Sequence, residues 1–575
     1  MNAAYVIRKN IAAMTKPTVP SPVVDTPCGK LQGRTSTSRD GRKYFQYLGI
    51  PYAKPPLYEL RFEPPQPWNE HWPGVRDATK NGDKAAQFDA VSQKVIGSED
   101  CLFVDVHTPI IAEGSRLPVL VWFHGGSFIM GSGNDYKPDY FMEHDVVVVA
   151  VNYRLGCFGF LDTGDGVVRG NMGLKDQNMA LRWVHHNIAG FGGDPHDVTI
   201  AGESAGGASV HFHVLSRLST GLFHKAVSQS GFATLPFAIH PNPAKLTRRL
   251  AEILRCPTED TQKMIFQMKT LDTATIASVQ LGMFDNFRPT IEFDFGDGQA
   301  MITEHPQRII NSGNFNKVPY MVGVNSGEGI LLATPALTNK TTCQELSENW
   351  GKTLAPFLFF PPEVDGTILD ATKDLYCAGE FDPAKPMEKM QEMTHLFSDC
   401  IWNLGFHNAM TAHAAALANY GDDLRNPLFC YYYDYHGKYS LADMVLAIGG
   451  DAHPLVELIK IKGKKWIKEK IKKEEIPKYG SCHGDGLAMQ WYMPAMCYVP
   501  QKSPDYDVSK AIVECLVQFV KLDKHNPACS LDFFGQHWSA QRGYEPLKYM
   551  HICREPKMIS EPFNERLNFW KGLQR

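Results

Sequence analysis

The sequence predicts an α/β fold built on a large, mostly parallel central sheet that is flanked by helices. Three continuous apolar runs, at 117–123, 146–151 and 198–201, have the composition of parallel strands that are buried on both faces. Between the second and third runs, apolar residues recur at near-helical spacing over 173–187. Strand and helix patterns that alternate in this way are typical of a parallel sheet covered by helices.

The second half of the chain adds two further strand patterns, among helical patterns and long loops. The runs 320–324 and 428–433 are apolar or aromatic, and each leads toward a loop that carries a candidate catalytic residue. No linker rich in Pro, Gly or Ser divides the 575 residues. We therefore expect an N-terminal extension at 1–21 and a single domain over 22–572.

Composition and charge narrow the class of protein. The chain is 43% hydrophobic and 21% charged, which is ordinary for a globular enzyme, and its net charge of −4 argues against a nucleic-acid partner. It contains no run of about 18–20 apolar residues, so no integral membrane span is expected. The 13 cysteines form no C-x-x-C pair and no Cys/His cluster, and we expect neither a metal site nor a cofactor.

The N-terminus lacks the pattern of a secretion signal. Arg8 and Lys9 interrupt the apolar residues after 3–7, and no acidic residue precedes Asp25. That charge bias leaves an organelle transit peptide or an interfacial helix as alternatives. We therefore expect a cytoplasmic protein. The alternatives are a protein in peripheral contact with a membrane, and a secreted protein whose chain has a longer N-terminus.

Ser204 lies in the pentapeptide Gly-Glu-Ser-Ala-Gly at 202–206, between a strand pattern and a helix pattern. The small residues permit the sharp turn that exposes a nucleophilic serine beside a helix N-terminus. An ordinary Gly-rich turn is the alternative, which the flanking strand and helix disfavour. We predict that Ser204 is the catalytic serine.

The segment His-Gly-Gly-Ser at 124–127 directly follows the first predicted strand. Glycines at this place permit backbone amides to approach a substrate carbonyl, and each such donor contributes about 3–4 kcal/mol to transition-state stabilisation. We predict that the N–H groups of Gly126, Ser127 and Ala205 form an oxyanion hole, with Gly125 as a conformational spacer. A plain Gly turn is the alternative.

A serine nucleophile needs a base and an acid that orients this base, in the chain order Ser, Asp or Glu, His. Glu328 follows the strand pattern 320–324, and His483 lies in a loop of small residues. We predict that His483 is the general base and that Glu328 orients it, with Asp485 as an alternative orienting acid. Activity should then fall as the pH drops through an imidazole pKa near about 6.5.

Together these motifs resemble the type-B carboxylesterase/cholinesterase family of α/β-hydrolases, from about Val23 to Trp570. Further blocks carry the same resemblance, at 49–53, 60–62, 98–102, 152–156 and 170–177. The resemblance implies an α/β-hydrolase fold with long helical and loop excursions around an active-site gorge.

The resemblance also assigns charged residues to the scaffold. It implies one structural ion pair between Arg61 and Glu99 and another between Arg154 and Asp176. These four charges are therefore expected to stabilise the fold and not to take part in catalysis.

Ser127 is a departure from the family pattern, which has a third glycine at this position. The serine keeps the amide but adds a side chain that narrows the oxyanion hole or forms a hydrogen bond within it. Non-catalytic adhesion relatives also carry His-Gly-Gly-Ser, but they typically lack the nucleophilic serine in the turn that corresponds to Ser204. Because Ser204, Glu328 and His483 are all retained, the resemblance implies an active enzyme.

Two cysteine pairs of secreted family members are incomplete in this chain. The family's partner for Cys101 would stand just before Gln87, where this chain has Ala85-Ala86 instead of a cysteine. The partner expected for Cys256, near Gln267, is also absent. This loss indicates folding in a reducing compartment. The chain is thus most similar to the intracellular alpha-esterases of arthropods.

Other positions bear on the substrate. Phe237 matches an aromatic position that lines the acyl pocket in the family, although an ordinary core aromatic is an equal alternative. The stretch 87–97 lacks the tryptophan with which cholinesterases bind choline, so a choline ester is not the expected substrate. A lysine-rich insertion at 455–478 is expected to be a solvated face, with a lid or membrane contact as the alternative.

The sequence therefore predicts a serine carboxylesterase that hydrolyses carboxylic esters through an acyl-enzyme. We expect a generalist enzyme of xenobiotic or lipid ester metabolism, with a small-molecule ester as its partner. One alternative is a catalytically weak member that sequesters esters or acts in adhesion, which Ser127 supports. Another is a juvenile-hormone-selective esterase, although those enzymes usually carry Gln where this chain has Glu203.

Overall fold

A computed structural model describes residues 19–89, 92–112, 114–281, 283, 285–360, 367–422, 424–443, 445, 478–494, 496–523 and 530–573. Most of the predicted N-terminal extension, and the lysine-rich insertion up to residue 477, lie outside the described residues.

The described residues form seventeen strands. They are β1 (Pro20–Thr26), β2 (Gly29–Thr37), β3 (Lys43–Pro51), β4 (Val75–Asp77), β5 (Gln87–Asp89), β6 (Lys94–Ile96), β7 (Phe103–Thr108), β8 (Leu117–Phe123), β9 (Val147–Val151), β10 (Gly193–Glu203), β11 (Lys225–Gln229), β12 (Tyr320–Asn325), β13 (Leu428–Tyr433), β14 (Ser530–Phe533), β15 (Gln536–Ser539), β16 (Lys548–Ile552) and β17 (Lys557–Ser560).

The α-helices of the described residues are Gly156–Phe160, Met172–Asn187, Ala205–Leu215, Pro243–Ile253, Thr261–Thr270, Thr273–Leu281, Pro306–Ser312, Ile330–Thr338, Lys340–Glu348, Trp350–Phe357, Thr367–Cys377, Met390–Phe397, Leu404–Asn419, Leu487–Gln490, Tyr506–Val520 and Asn564–Leu573. Short 3₁₀ turns lie at Tyr58–Leu60, Gly133–Asp135, Phe141–Glu143, Ile188–Phe191, Arg217–Ser219 and Pro386–Lys389, and Ser398–Asn403 is a π-helical segment.

Thirteen strands form one sheet, in the order β1-β2-β3-β7-β9-β8-β10-β11-β12-β13-β16-β17, with β4 paired to β2. The strands from β9 through β16 in this order are mutually parallel. The other pairings in this order are antiparallel, whereas β4 pairs with β2 in parallel. This architecture confirms the predicted α/β fold with a mostly parallel sheet. Two hairpins, β5-β6 and β14-β15, lie outside it.

The central strands are apolar throughout because both faces of the sheet are buried. In β8, Val119, Val121 and Phe123 pack into one core, whereas Leu120 and Trp122 pack into the core on the opposite face. All five side chains are at most 3% exposed. Continuous apolar runs are the sequence signature of such doubly covered strands.

The N-terminal meander β1-β2-β3 was not among the predicted strands. In β1 and β2, buried residues are separated by exposed or half-buried residues, so neither strand contains a continuous apolar run. Antiparallel strands near a sheet edge keep one face toward solvent, which produces this weaker pattern. The predicted strand at 198–201 also starts earlier, at Gly193, because the polar residues before Val198 continue in extended conformation.

Both ion pairs implied by the resemblance are present and buried. Arg61 contacts Glu99 through two N···O distances of 2.7 and 2.6 Å. Arg154 contacts Asp176 in the same bidentate way, at 2.8 and 2.7 Å, and joins the loop after β9 to the helix Met172–Asn187. Two parallel hydrogen bonds fix the geometry of each pair as well as its charge.

Candidate active site

Ser204 occupies the turn between β10 and the helix Ala205–Leu215, in a strained backbone conformation. Its φ of 58° and ψ of −124° lie outside the regions that L-residues usually adopt. A Cβ on Gly202 would lie 2.4 Å from the backbone of Gly206, and a Cβ on Gly206 would lie 2.1 Å from the Phe123 carbonyl oxygen. The turn therefore requires glycine on both sides of the serine, as the pentapeptide indicated.

The loop after β8 lies against this turn. A Cβ on Gly125 would lie 3.1 Å from Cβ of Ser204, so only glycine leaves room for the close approach. Gly126, Ser127 and Phe128 follow with φ of 110°, 55° and 62°. Two consecutive non-glycine residues at positive φ are unusual, and such strain is typical of functional loops.

Amide groups remain available beside Ser204. Within the described part of the chain, the N–H groups of Gly126, Ser127 and Ala205 donate to no protein acceptor. Ala205 is the first residue of its helix, where N–H groups have no intrahelical partner and the helix dipole favours negative charge. The Ser127 side chain is exposed. Its amide is thus free, while its hydroxyl lies at the surface of the site.

His483 and Glu328 form a short hydrogen bond. The distance from Nδ1 of His483 to Oε2 of Glu328 is 2.6 Å. Glu328 is fully buried, and its other oxygen accepts the N–H of Asn325 at 2.7 Å. This carboxylate selects the tautomer of His483 that carries hydrogen on Nδ1, which leaves Nε2 to act as a base.

The two loops that carry these residues are also joined by backbone contacts. The N–H of Gly327 donates to the Ser481 carbonyl oxygen at 2.9 Å, and Nδ2 of Asn325 donates to the Cys482 carbonyl oxygen at 2.7 Å. The relative position of Glu328 and His483 is therefore set by a small network of hydrogen bonds and not by one contact alone.

Asp485 does not orient the His483 ring. Its oxygens accept hydrogen bonds from the N–H groups of Leu441 and Cys482 and from the Ser440 hydroxyl. Burial raises the pKa of Asp485 to about 7, and these hydrogen bonds act against that rise. The alternative orienting acid of the sequence analysis thus has a different place, in which it ties the His483 loop to residues 440–441.

The other ring nitrogen of His483 faces a second carboxylate. Nε2 lies 3.3 Å from Oε1 of Glu203, and within the described residues it makes no hydrogen bond to Ser204. Burial raises the pKa of Glu203 to about 7. Burial alone would lower the pKa of His483, but the negative charges of Glu203 and Glu328 outweigh it and raise this pKa to about 9.

This electrostatic environment changes the pH expectation. An isolated imidazole would titrate near about 6.5. Flanked by Glu203 and Glu328, the imidazolium of His483 is stabilised, so the neutral base forms only at higher pH. The expected fall of activity with pH should therefore begin above the value that the sequence analysis assumed.

Phe237 is connected to the His483 ring by one aromatic residue, Trp402, which contacts both. Its ring centroid is 5.9 Å from that of Trp402, and the Trp402 ring is 5.2 Å from the ring of His483. Nε1 of Trp402 donates to the Ser230 carbonyl oxygen at 3.1 Å, which fixes the indole. Phe237 is half-buried and packs against the hydrophobic core.

Sequence reasoning missed the residues that hold the loop after β8. Gln87 donates to the Gly131 carbonyl oxygen and accepts the Gly131 N–H, at 2.9 and 2.8 Å. The Tyr153 hydroxyl donates to the His124 carbonyl oxygen at 2.7 Å, and the two rings stack. No local pattern marks these residues, because each acts on a segment 29 to 44 positions away.

The described residues contain no group of three or more His, Cys, Asp or Glu side chains that could hold a metal ion. No helix among them is long and apolar enough to cross a membrane. The twelve described cysteines are all free thiols, Cys101 and Cys256 included.

Comparison with known proteins places these features in a family. The model of the carboxylesterase family matches residues 20–570. Venom carboxylesterase-6 of Apis mellifera is 35% identical over 96% of this chain and 94% of its own length. Juvenile hormone esterase of Tribolium castaneum is 32% identical over 96% and 93%, and a carboxylic ester hydrolase of Bombus ignitus is 38% identical over 74% and 77%.

A solved structure agrees with the fold. The crystal structure of juvenile hormone esterase from Manduca sexta, with OTFP covalently attached, superposes with a TM-score of 0.76. It covers 97% of this chain and 100% of that one at 23% identity. At this identity the likeness concerns the fold alone.

Proposed function

The chain belongs to the carboxylesterase family, and from that premise we propose that Ser204, Glu328 and His483 are the catalytic residues of a serine carboxylesterase. The family and its relatives establish a carboxylic ester hydrolase. The observation that supports the residue assignment best is the 2.6 Å hydrogen bond between His483 and Glu328. His483 in turn contacts Glu203, the residue that directly precedes Ser204.

The first half of the reaction forms an acyl-enzyme. Neutral His483 accepts the Ser204 proton on Nε2 while the serine oxygen attacks the ester carbonyl carbon. The carbonyl oxygen becomes an oxyanion, which the N–H groups of Gly126, Ser127 and Ala205 stabilise. The tetrahedral intermediate then collapses, and the His483 proton passes to the leaving alcohol.

The second half repeats these steps with water. His483 deprotonates a water molecule that attacks the acyl carbon, and the same amides stabilise the second oxyanion. The intermediate expels Ser204, which regains its proton from His483, and the carboxylic acid leaves. Glu328 accepts the Nδ1 hydrogen of His483 and stabilises the imidazolium in both halves.

The His483–Glu203 contact defines a resting arrangement from which this reaction starts. With Glu203 ionised, its negative charge stabilises a proton on Nε2, which lies 3.3 Å from Oε1. Loss of this proton frees Nε2 to accept the Ser204 proton. Glu203 thereby sets the pH at which the base becomes available, and it is a positioning residue in this account.

The residue assignment is tested by substituting the nucleophile and its base. Ser204→Ala and His483→Ala should each lower kcat for a p-nitrophenyl ester by at least about a thousandfold, as triad substitutions do. Ser92→Ala, at an exposed serine, is the matched control and should retain parental turnover. Full turnover by Ser204→Ala would make the mechanism wrong.

For the substrate, we propose a generalist activity on xenobiotic or lipid esters of carboxylic acids. Phe237 and Trp402 provide an aromatic wall beside His483, which suits an apolar acyl group. The absence of tryptophan from 87–97 argues against choline esters. A panel of p-nitrophenyl esters of increasing acyl length tests this, since broad kcat/KM values with a preference for apolar acyl groups are expected.

Two alternatives are distinguished by measurement. The relative from Tribolium castaneum is a juvenile hormone esterase, so a selective hormone esterase is the second candidate. It predicts a kcat/KM for juvenile hormone far above that for every simple ester of the panel. An ester-sequestering protein is the third, and Ser127 supports it; it predicts complete organophosphate labelling of Ser204 with negligible turnover.

We also propose that the enzyme acts in a reducing compartment such as the cytoplasm, as one domain over 22–572. The support is that Cys101 and Cys256 are free and that their family partners are absent from the sequence.

The lysine-rich segment 455–478 carries the positive charge that peripheral contact with an anionic membrane requires. Binding to vesicles that contain phosphatidylserine, compared with neutral vesicles, measures this contact.

A further inference from the structure

A cysteine, a histidine and an aspartate outside the catalytic residues lie in line at the carboxyl ends of β13 and β16. Sγ of Cys553 is 3.7 Å from Nδ1 of His551, and Nε2 of His551 is 3.2 Å from Oδ2 of Asp434. His551 belongs to β16, Cys553 follows this strand, and Asp434 follows β13. The parallel pairing of the two strands brings the three side chains to one edge of the sheet.

The order of the contacts assigns a role to each side chain. Asp434 accepts the hydrogen on Nε2 of His551, so the lone pair of Nδ1 faces the thiol. Burial raises the pKa of Asp434, but hydrogen bonds from His436, Ser326 and His551 outweigh it and lower this pKa. A charged carboxylate behind the ring favours the imidazolium that forms when the thiol loses its proton.

Two other groups act on this cluster. The Glu555 carbonyl oxygen lies 3.1 Å from Sγ of Cys553 and accepts its hydrogen, which favours the thiol. Nε2 of His436 lies 3.4 Å from Oδ1 of Asp434. The imidazole and the carbonyl oxygen therefore compete for one S–H hydrogen, and an electrophile that reaches sulfur draws the proton toward His551.

Access to solvent separates Cys553 from nearly all other thiols of the described residues. Ten of the twelve described cysteines are buried, and only Cys28 and Cys553 are partly exposed. Sγ of Cys28 donates to the Trp68 carbonyl oxygen at 3.6 Å, and burial raises the pKa of this thiol. Cys553 therefore combines partial exposure with an adjacent imidazole, whereas the equally partly exposed Cys28 thiol contacts a backbone carbonyl oxygen.

We propose that Cys553 is a site of thiol–disulfide exchange, with His551 as proton acceptor and Asp434 as the group that orients His551. The thiol proton moves to Nδ1 of His551, and the thiolate attacks one sulfur of a small disulfide. A new S–S bond forms on Cys553, the original S–S bond breaks, and the leaving thiolate takes the proton from His551. The disulfide is the oxidant, and one of its sulfurs leaves as the reduced thiol.

Asp434 also connects this cluster to the catalytic loops. Its Oδ1 accepts the Ser326 hydroxyl at 2.5 Å, and the oxygen of Ser326 accepts the Ser481 N–H at 2.8 Å. Ser326 and Ser481 each stand two residues before a proposed catalytic residue. Substitution of Asp434 would disturb those loops, so the test uses Cys553 and His551 instead.

The experiment measures exchange with 5,5′-dithiobis(2-nitrobenzoate) on the native full chain, followed by peptide mapping. The variants are Cys553→Ser, which removes the site, and His551→Gln, which keeps a hydrogen-bond donor for Asp434 but no proton acceptor for sulfur. Cys28→Ser and His537→Gln, at an exposed histidine, are the matched controls. Mapping separates Cys553 from Cys529, which lies outside the described residues.

The proposal predicts that the Cys553 peptide is labelled at least about tenfold faster than the Cys28 peptide, as the thiolate fraction of an activated thiol implies. His551→Gln should slow this labelling by about threefold or more, because glutamine cannot accept the thiol proton as the imidazole does. Equal rates at Cys553 and Cys28 in the parent protein would overturn the proposal, whatever the fate of the variants. An unchanged rate in folded His551→Gln would overturn the role of His551.

Discussion

At the scale of single residues, the most consequential contact is the one between Glu203 and His483. A carboxylate that directly precedes the nucleophile lies 3.3 Å from the nitrogen that must accept the serine proton. No sequence pattern indicates this contact, because the two residues are 280 positions apart and come together only in the folded sheet. The contact between Glu328 and His483 was predictable from chain order, whereas the second carboxylate beside Nε2 was not.

Glu203→Gln should move the acidic limb of the kcat/KM profile to lower pH. The substitution removes a negative charge that raises the pKa of His483, so the imidazole loses its proton at lower pH. We expect a displacement of about one pH unit or more, since a charge at this distance shifts a pKa by about 1–3 units. The measurement is kcat/KM for one p-nitrophenyl ester between pH 5 and 9. Glu203→Asp retains the charge as the control, and an unmoved limb in Glu203→Gln would contradict the assignment.

Ser127 presents a second residue-scale question, because its side chain is exposed while its amide is free. If the amide is the oxyanion donor, Ser127→Ala should keep kcat within about threefold, whereas a lost donor costs about a hundredfold or more. Ser127→Gly should also raise the midpoint of thermal unfolding, because glycine adopts a φ of 55° without strain. A hundredfold loss in Ser127→Ala would show that the hydroxyl, and not the amide, stabilises the oxyanion.

At the scale of elements, the sheet was predictable where its strands are buried on both faces. The pattern 117–123 coincides with β8, and 428–433 coincides with β13. The helix pattern expected after Ser204 is also present, as the helix Ala205–Leu215. The antiparallel strands β1 and β2 were missed because exposed or half-buried residues separate their buried ones. Tertiary position therefore decides how visible a strand is in the sequence.

The Arg154–Asp176 pair is the clearest element-scale determinant of stability. Asp176→Asn leaves the Arg154 guanidinium, which is 2% exposed, without its charged partner. We expect a loss of about 3–5 kcal/mol in the free energy of unfolding, as for other broken buried pairs. The measurement is the denaturant midpoint followed by fluorescence. Arg249→Ala, in the exposed Arg249–Glu252 pair, is the control and should leave the midpoint unchanged. Equal midpoints for both variants would contradict the scaffold role.

At the scale of the whole molecule, the proposed catalytic residues converge because parallel strands end at one edge. Ser204 follows β10 and Glu328 follows β12, which are separated in the sheet only by β11. His483 lies in a loop that is distant in the sequence. Hydrogen bonds between this loop and the Glu328 loop hold His483 at the same edge of the sheet. The sequence identified the loops, but their mutual contacts, like those of Gln87 with Gly131, depend on the assembled fold.

The number of free thiols is a property of the whole chain that can be measured by titration. Because Cys101 and Cys256 lack their family partners, we expect 13 titratable thiols in the denatured, unreduced protein. Reduction should leave the melting temperature unchanged, since no disulfide then constrains the unfolded chain. A count of 11 or fewer in freshly purified protein, with a lower melting temperature after reduction, would contradict the proposed reducing compartment.

The central claim, that Ser204 is the nucleophile of an active esterase, is tested most directly by covalent titration with an organophosphate. Intact mass should show one phosphyl group per chain, peptide mapping should place it on Ser204, and ester turnover should fall in proportion to labelling. Ser204→Ala should remain unlabelled at the same reagent concentration. Labelling at another residue, or turnover that survives complete modification of Ser204, would contradict the account.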